Sequence, residues 1–209
     1  MTTTLAQKTE TIFIVDDDSS FLRSLSRLLT AVGYAVEAYP CAREFLERTN
    51  PERPGCVVAD LQMPALDGLQ LQEELRRSAH PLPMIFLTGQ GDIPSAVSAM
   101  RSGAEDFLTK RAPKEELLAA VERALQRNTL ERQARRRQEE LRGRFAELSE
   151  REKEILGHVV QGKMNKEIAA ELGINLRTVK LHRTNLTRKL NVQSVAELTR
   201  LAQEAGIFA

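Results

Sequence analysis

The sequence has no tryptophan, few aromatic residues and only two cysteines. Cys41 and Cys56 do not have the spacing of metal ligands, so we expect two reduced thiols. There is also no run of about 18 apolar residues, which argues against a membrane-spanning helix and a membrane partner. Residues 1–10 are polar and lack the apolar core of a signal peptide, so we expect a cytoplasmic location.

The remaining composition is that of an ordinary globular protein, with 42% hydrophobic and 28% charged residues. A chain of 209 residues is long enough for one large domain or two small ones. Residues 1–126 carry 13 Lys and Arg against 18 Asp and Glu, whereas residues 127–209 carry 17 against 11. This asymmetry suggests an acidic module joined to a module that binds nucleic acid.

The first half of the chain alternates between short apolar runs and helical patterns. The expected strands are residues 11–15, 34–38, 56–60, 83–88 and 105–109, each followed by a helical pattern. Five strand–helix alternations predict a parallel sheet with helices on both faces.

Polar residues follow four of these strands directly. They are Asp16 and Asp17, then Asp60, Thr88 and Lys110. Because right-handed crossovers bring the carboxyl ends of parallel strands to one edge, we expect these side chains to meet there. Taken alone, the acids after the first strand would suit a helix N-cap, and Lys110 would suit a surface charge.

Clustered carboxylates repel one another unless a cation lies among them. Three acids suit Mg²⁺, which prefers oxygen ligands and retains several waters. Together with a hydroxyl and a lysine, such a cluster predicts an aspartyl-phosphate site with Asp60 as the nucleophile. Mg²⁺ and Lys110 would then neutralise the phosphoryl oxygens, and Thr88 would hydrogen-bond to one of them.

A long helix is predicted to connect the two halves. Residues 115–145 contain no proline and a single glycine, and they are rich in helix-forming residues. We interpret residues 127–143 as an extended helical linker. We expect Arg135, Arg136 and Arg137 to form a solvent-exposed face of this linker.

The last part of the chain predicts a helix-turn-helix. Ser149 and Glu152 have the spacing of a capping box, and Gly173 ends a short helix before Asn175 can cap the next one. That next helix, residues 176–190, has no acid. Its basic residues suit a recognition helix in a major groove, although an ordinary basic helical hairpin would share them: Arg177, Lys180, His182, Arg183, Arg188 and Lys189.

Residues 10–126 resemble the receiver domain of two-component response regulators. The resemblance rests on I-F-I-V-D-D-D, on V-V-A-D-L-Q-M-P-A-L-D-G, on F-L-T-G-Q-G-D and on the lysine after D-F-L-T. It implies a flavodoxin-like, doubly wound sheet of five parallel strands in the order 2-1-3-4-5. It also implies that Asp60 is the phosphoacceptor. Asp17, Asp60 and the Gln62 carbonyl would bind Mg²⁺, with Asp16 assisting through water. Thr88, Phe107 and Lys110 would be the switch and phosphate-binding residues.

Residues 144–209 resemble the LuxR-type helix-turn-helix domain of FixJ- and NarL-like regulators. The motifs that carry this resemblance are G-K-M-N-K-E-I-A-A-E-L-G-I and R-T-V-K-L-H-R. It implies that Lys180, Leu181 and Thr184 face bases, and it assigns another set to the DNA backbone or to helix packing: Lys166, Thr178, His182 and Arg183. The final helix, from Val195 to Ala205, would support dimerisation, and the long linker resembles that of regulators of aromatic-compound degradation.

These resemblances imply a DNA-binding transcriptional regulator that a sensor histidine kinase phosphorylates. Phosphorylation would promote homodimerisation and promoter binding, with RNA polymerase as a further partner and no enzymatic activity beyond the turnover of its own aspartyl phosphate. One alternative is a Mg²⁺-dependent phosphatase, which Gln62 disfavours because it occupies the place of a second acid. Others are a flavin-binding protein, disfavoured by the lack of tryptophan, and a regulator with a degenerate receiver.

The chain departs from the receiver pattern at Arg111, where the family usually has a proline after the lysine. A cis peptide bond costs about 2.5–4 kcal/mol without proline, so we expect a trans Lys110–Arg111 bond. We further expect a displaced loop over residues 108–113 and a less firmly placed Lys110. Phosphorylation would then be slower, or the phosphoryl group shorter-lived, unless the guanidinium of Arg111 substitutes.

Overall fold

The computed structural model describes residues 10–50, 52–78, 80–89 and 93–207. The chain divides into two compact units, the first ending at Glu131 and the second beginning at Arg132. Across the described ranges, every helix is too short or too polar to span a bilayer. Cys41 and Cys56 are both free, which confirms the expectation of two unpaired thiols.

The first unit contains a five-stranded parallel sheet. Its strands, β1 to β5, are Thr11–Val15, Ala35–Tyr39, Gly55–Ala59, Met84–Thr88 and Asp106–Thr109. Their order is β2-β1-β3-β4-β5, which confirms the predicted topology. Three of the strands, β1, β3 and β4, are buried along their whole length, as their continuous apolar sequences predict. In the pairing register Val15 lies beside Ala59, so β1 and β3 end at the same level.

Helices cover both faces of this sheet. They are α1 (Ser19–Ala31), α2 (Ala42–Arg48), α3 (Gly68–Arg77), α4 (Ile93–Arg101) and the first part of α5 (Lys114–Ala146). Residues of β1 alternate between two cores, because successive side chains of a strand point to opposite faces. Phe13 packs in a core with Phe45 and Phe86, while Ile12 packs on the other face with Leu29 and Val121.

The second strand lies one residue later than its apolar pattern predicts. It ends at Tyr39, which pairs with Val15 and is buried with its ring edge against Phe45, at a centroid distance of 5.4 Å. The sequence pattern places the end at Ala38 because aromatic packing across the sheet cannot be read from one strand. Helix α2 begins two residues after Pro40, at Ala42.

The second unit is entirely helical. It contains the last part of α5, then α6 (Glu150–Val160), α7 (Asn165–Glu171), α8 (Leu176–Leu190) and α9 (Val195–Glu204). Ser149 and Glu152 form the predicted capping box, and Asn175 caps α8 through its side chain. The core includes Ile155 and Ile168 from α6 and α7, with α8 packed against both helices.

Residues at both ends of the expected linker, 127–143, belong to packed cores. Asn128 is buried in the first unit, where its side-chain oxygen accepts a hydrogen bond from the Gly55 N–H at 3.2 Å. Leu141 is fully buried in the core of the second unit. The part of α5 that lies outside both cores is therefore shorter than the predicted linker segment.

Candidate functional site

Two strand ends bring carboxylates together at the carboxyl edge of the sheet. Asp60 follows β3, and its N–H donates to the Val15 carbonyl at 2.9 Å. Asp16 follows β1, and its N–H donates to the Tyr39 carbonyl at 3.1 Å. One carboxylate oxygen from each of Asp16, Asp17 and Asp60 lies within 4.8 Å of the others. Asp16 and Asp60 are buried whereas Asp17 is exposed, so the cluster opens to solvent on one side.

The acid triplet divides between this cluster and a helix cap. Asp18 is the N-cap of α1, and its side chain accepts hydrogen bonds from Ser20 N at 2.8 Å and from Phe21 N at 3.2 Å. The Ser20 hydroxyl and these backbone donors hold the pKa of Asp18 below its ordinary value. The Asp18 N–H in turn donates to Asp16 at 2.9 Å. The triplet therefore serves both purposes: Asp16 and Asp17 belong to the acid cluster, and Asp18 caps α1.

Lys110 reaches into the cluster from the residue after β5. Its Nζ lies 2.6 Å from Asp16 Oδ2 and 2.7 Å from Asp60 Oδ2. Burial would lower the pKa of Lys110, but the two carboxylates outweigh it and raise the pKa above its ordinary value. Burial also raises the pKa of Asp16, despite the nearby ammonium group. Both pKa shifts favour the protonated form, for Asp16 because it is buried and for Lys110 because Asp16 and Asp60 surround its ammonium group.

The Lys110–Arg111 peptide bond is trans, as expected. The expected loosening of Lys110 stays a prediction, although its side chain contacts both buried acids. Its backbone N–H also donates to the Thr88 carbonyl at 2.8 Å, and the Ala112 N–H closes a turn onto Thr109 at 2.9 Å. Arg111 is exposed and forms no ion pair with any residue in the described ranges, so it does not substitute for the lysine.

The residues of this edge fit a magnesium ion. Asp16 Oδ2 is buried, and Lys110 Nζ lies 2.6 Å from it. Asp17 and Gln62 line the same open cleft of about 540 Å³. A negative cluster of oxygen donors with room for water suits a hard, six-coordinate cation. Receiver domains bind Mg²⁺ in such an acidic pocket.

Gly68 allows α3 to begin directly against Asp60. A Cβ atom at this position would lie 2.5 Å from the Asp60 carbonyl oxygen and 2.8 Å from the Phe86 ring. Only a residue without a side chain permits that approach. The Gly68 N–H donates to the Leu61 carbonyl at 2.9 Å, which ties the start of the helix to the residue after Asp60.

The two expected switch residues lie on neighbouring strands. Thr88 is the fully buried last residue of β4, beside the cluster through its carbonyl bond to Lys110. Phe107 is half-buried on β5, and its ring centroid lies 5.9 Å from that of Phe86. The structure thus places a buried hydroxyl and a partly exposed ring on the same side of β3, the strand that Asp60 follows.

In the helical unit, α7, the turn at Gly173 and α8 form the helix-turn-helix. Five of the residues that we expected to contact DNA are exposed on α7 and α8: Lys166, Arg177, Lys180, Leu181 and Thr184. Arg188 is also exposed, near the end of α8. Thr178 and His182 are half-buried, and so is Arg183, which donates to Asn165 at 2.6 Å.

Lys189 is exposed near the end of α8, and its expected DNA contact stays a prediction, but it also has partners within the helical unit. Its Nζ lies 2.8 Å from the carboxylate of Glu152 and 3.2 Å from the Glu147 carbonyl. Because Glu152 is buried, the pair fastens α8 to α6. The sequence shows only a basic residue near a helix end, so it cannot distinguish this internal role from a phosphate contact.

Sequence reasoning missed two further residues. Phe21, in the first turn of α1, was not among the expected site residues, but its ring faces the Lys110 ammonium group at 4.5 Å. Asn128 was assigned to the linker, although it is buried against β3. A polar residue among the apolar positions of α5 was the available signal for the second, and nothing in the spacing indicated the first.

Fold and site together define a class, the response regulators whose receiver domain is joined to a DNA-binding domain. Residues 12–122 match the response regulator receiver domain, and residues 146–202 match the luxR family of bacterial regulatory proteins. The chain therefore belongs to the two-component response regulators that carry a LuxR-type helix-turn-helix, a family of transcription regulators rather than conventional enzymes.

Individual relatives match over most of their length. The chain is 43% identical to nodulation protein W of Bradyrhizobium diazoefficiens over 198 residues, 95% of this chain and 87% of that protein. It is 39% identical to the response regulator protein TodT of Pseudomonas putida over 199 residues, 95% of this chain and 88% of that protein. The solved structure of the response regulator StyR has 45% identity and a TM-score of 0.83, covering 94% of this chain and 100% of the StyR chain.

Proposed function

We propose that a sensor histidine kinase phosphorylates Asp60 in the presence of Mg²⁺, and that this promotes homodimerisation and promoter binding. RNA polymerase would be the partner at the promoter. The observation that carries the proposal is the Lys110 ammonium group, which contacts Asp16 and Asp60 beside the exposed carboxylate of Asp17. The working domains are a receiver over residues 10–126, a helical linker over 127–143 and a DNA-binding domain over 144–209.

In the proposed reaction, a carboxylate oxygen of Asp60 attacks the phosphorus of a phosphohistidine. The new O–P bond forms as the P–N bond breaks, and the imidazole leaves with the electron pair. Asp17, Asp60 and the Gln62 carbonyl would hold Mg²⁺, with Asp16 assisting through water. When bound, Mg²⁺ would neutralise part of the phosphoryl charge. Lys110 would neutralise another oxygen, since its ammonium group already lies 2.7 Å from Asp60 Oδ2.

Signal output would begin at Thr88 and Phe107. Once a phosphoryl oxygen is present, the Thr88 hydroxyl would hydrogen-bond to it, and Phe107 would change its packing against Phe86. Because the ring is only half-buried, a change in its position alters the exposed surface around β5. Such a change would shift a population between two states rather than create a new one.

DNA binding would use the exposed face of α8. Lys180, Leu181 and Thr184 would face bases, while contacts to the DNA backbone would come from Lys166, Arg177, Thr178, His182, Arg183 and Arg188. The exposed end of α9, at Val195, offers an apolar surface for a second copy of the chain. Two copies at fixed spacing are what a helix-turn-helix needs in order to recognise two half-sites.

Labelling with acetyl phosphate tests the proposal directly. The wild-type protein should incorporate about one phosphoryl group per chain only when Mg²⁺ is present. Asp60→Asn should abolish incorporation, while Asp67→Asn should retain it, because Asp67 lines the open cleft with Asp17 and Gln62 and asparagine caps a helix as well as aspartate does. Undiminished labelling of Asp60→Asn would refute the assignment, and turnover of acetyl phosphate that persists in Asp60→Asn would favour a phosphatase instead.

A further inference from the structure

We propose that Phe21 is a positioning residue for Lys110, holding its ammonium group at the phosphoryl-transfer site through the face of its ring. This inference rests on the proposed function of Asp60 and adds a part to that site. The Lys110 Nζ lies 4.5 Å from the centroid of the Phe21 ring, well within the distance at which a cation is attracted to an aromatic face.

The ammonium group is enclosed by three partners. Asp16 and Asp60 contact it at 2.6 and 2.7 Å, and the Phe21 ring lies at 4.5 Å. The Lys110 side chain is only 18% exposed, so few waters can compete for the cation. A cation–aromatic contact is strongest where the cation is partly desolvated, as it is here.

The acid triplet places this ring. Asp18 caps α1 by accepting hydrogen bonds from Ser20 N and Phe21 N, which fixes Phe21 in the first turn. The Asp18 N–H donates to Asp16, one of the two acids that hold the lysine. The run from Asp16 to Phe21 thus supplies both an anionic partner and an aromatic partner for the same ammonium group.

The ring has a property that Asp60 lacks, because it does not take part in the reaction. Asp60 changes from a carboxylate to an acyl phosphate when it is phosphorylated, so its attraction for Lys110 is not constant. A neutral ring fixed by a helix cap attracts the ammonium group equally before and after the transfer.

A small cavity lies beside the Phe21 ring, and a smaller side chain at this position would enlarge it. Phe21, Leu25, Thr109 and Lys110 are among the residues that line a partly enclosed space of about 180 Å³ between α1 and the loop before α5. A smaller residue at position 21 would enlarge this space and remove the face opposite the carboxylates. The lysine stem could then lean away from the acids toward solvent.

Three substitutions separate the ring face from simple packing. Phe21→Leu keeps an apolar side chain, Phe21→Tyr keeps the ring, and 3,5-difluorophenylalanine at position 21 keeps the shape but weakens the attraction of the ring face for a cation. With acetyl phosphate and saturating Mg²⁺, labelling of Phe21→Leu should be about threefold to tenfold slower than wild type. The tyrosine variant should remain close to wild type, and the difluoro variant should fall between them. Equal rates in all four proteins would overturn the proposal.

A spectroscopic measurement gives a readout independent of phosphorylation. Protons above an aromatic face are shifted upfield, so the side-chain CH₂ signals of Lys110 in ¹³C-lysine-labelled protein should be shifted in the wild type and in Phe21→Tyr. Lys110→Gln identifies the signal, and thermal melting by circular dichroism confirms that each variant is folded. An unshifted wild-type signal, or a shift that persists in Phe21→Leu, would overturn the proposal. A shifted signal in a protein that acetyl phosphate fails to label would instead refute the proposed function.

Discussion

Lys110 Nζ lies 2.7 Å from Asp60 Oδ2, although the two residues are 50 positions apart in the sequence. The contact forms because both residues directly follow parallel strands, β5 and β3, whose carboxyl ends share one edge of the sheet. The same ammonium group also contacts Asp16, so one positive charge is shared between two buried acids. It therefore competes with any metal ion for the same carboxylates.

This competition predicts opposite effects of Lys110→Gln on metal binding and on phosphorylation. Without the ammonium group, the three carboxylates should bind Mg²⁺ more tightly, by on the order of tenfold. Labelling by acetyl phosphate should nevertheless be slower, by on the order of tenfold, because a phosphoryl oxygen loses its cation. NMR titration with Mg²⁺ measures the first effect, since the chain has no tryptophan for fluorescence.

Lys114→Gln is the matched control for that prediction. Lys114 also lies near the start of α5 but is exposed, and its nearest acid is the exposed Glu115. Its replacement should change neither Mg²⁺ affinity nor the labelling rate. Weaker Mg²⁺ binding by Lys110→Gln would show that the lysine organises the acids rather than competing for them.

Gly68→Ala should destabilise the receiver unit. The added Cβ would meet the Asp60 carbonyl oxygen at 2.5 Å, so the start of α3 must move away from the phosphoacceptor. Overpacking of this kind costs about 1–3 kcal/mol in the free energy of unfolding. Urea unfolding followed by tyrosine fluorescence reports on this unit alone, because both tyrosines, Tyr34 and Tyr39, lie in it.

Gly89→Ala provides the comparison in the same unit. A Cβ at Gly89 would meet no other atom within 4 Å, so its effect on unfolding should stay within about 0.5 kcal/mol. The same loss of stability in both variants would mean that the contact with Asp60 is not the cause. Labelling of Gly68→Ala should also be slower, because the residue after β3 is tied to this glycine.

The resemblance to receiver domains implies the sheet order, whereas the meeting of the polar strand ends follows from periodicity and from the handedness of crossovers. Asp16, Asp60 and Lys110 each lie one residue beyond an apolar run, so their common location needs no knowledge of packing. The helix-turn-helix is predicted for a similar reason, since Ser149 and Asn175 cap helices through interactions within four residues.

The remaining features depend on side-chain pairs that are distant in the sequence. The ring of Phe21 faces Lys110 across the gap between α1 and the loop after β5, and Lys189 pairs with Glu152, 37 positions away. Periodicity gives the face of a helix on which a residue lies, but not the partner on the neighbouring element. For the same reason, the sequence could not show that Lys110 reaches its acids without a following proline.

Glu152 should make the stability of the helical unit depend on pH. Although burial alone would raise it, hydrogen bonds from Lys189 and Ser149 lower the pKa of Glu152 below its ordinary value of 4.5. A lowered folded pKa contributes stability above the unfolded value, and this contribution is lost as the pH falls through the folded value. The difference in unfolding free energy between wild type and Glu152→Gln should therefore be larger at pH 7 than at pH 3.5.

Urea unfolding followed by circular dichroism at the two pH values measures this difference. Glu150→Gln is the control, because Glu150 is almost fully exposed and its pair with Lys153 is screened by water. Its effect should be small at both pH values. A wild-type advantage over Glu152→Gln that is equal at pH 3.5 and pH 7 would contradict the role assigned to the ion pair.

Three of the basic residues of α8 should affect DNA binding in different ways. Lys180→Ala should cost about 1–3 kcal/mol on a duplex selected by the wild-type protein, but little on a random duplex, because a lost base contact removes specificity. Arg188→Ala should weaken binding to both duplexes and lower the salt dependence by about one ion, as expected for a phosphate contact. Lys189→Ala should act through stability, since its ammonium group is bound to Glu152. Binding titrations at several salt concentrations distinguish the three, and an equal loss on both duplexes for Lys180→Ala would show that this lysine contacts only the DNA backbone.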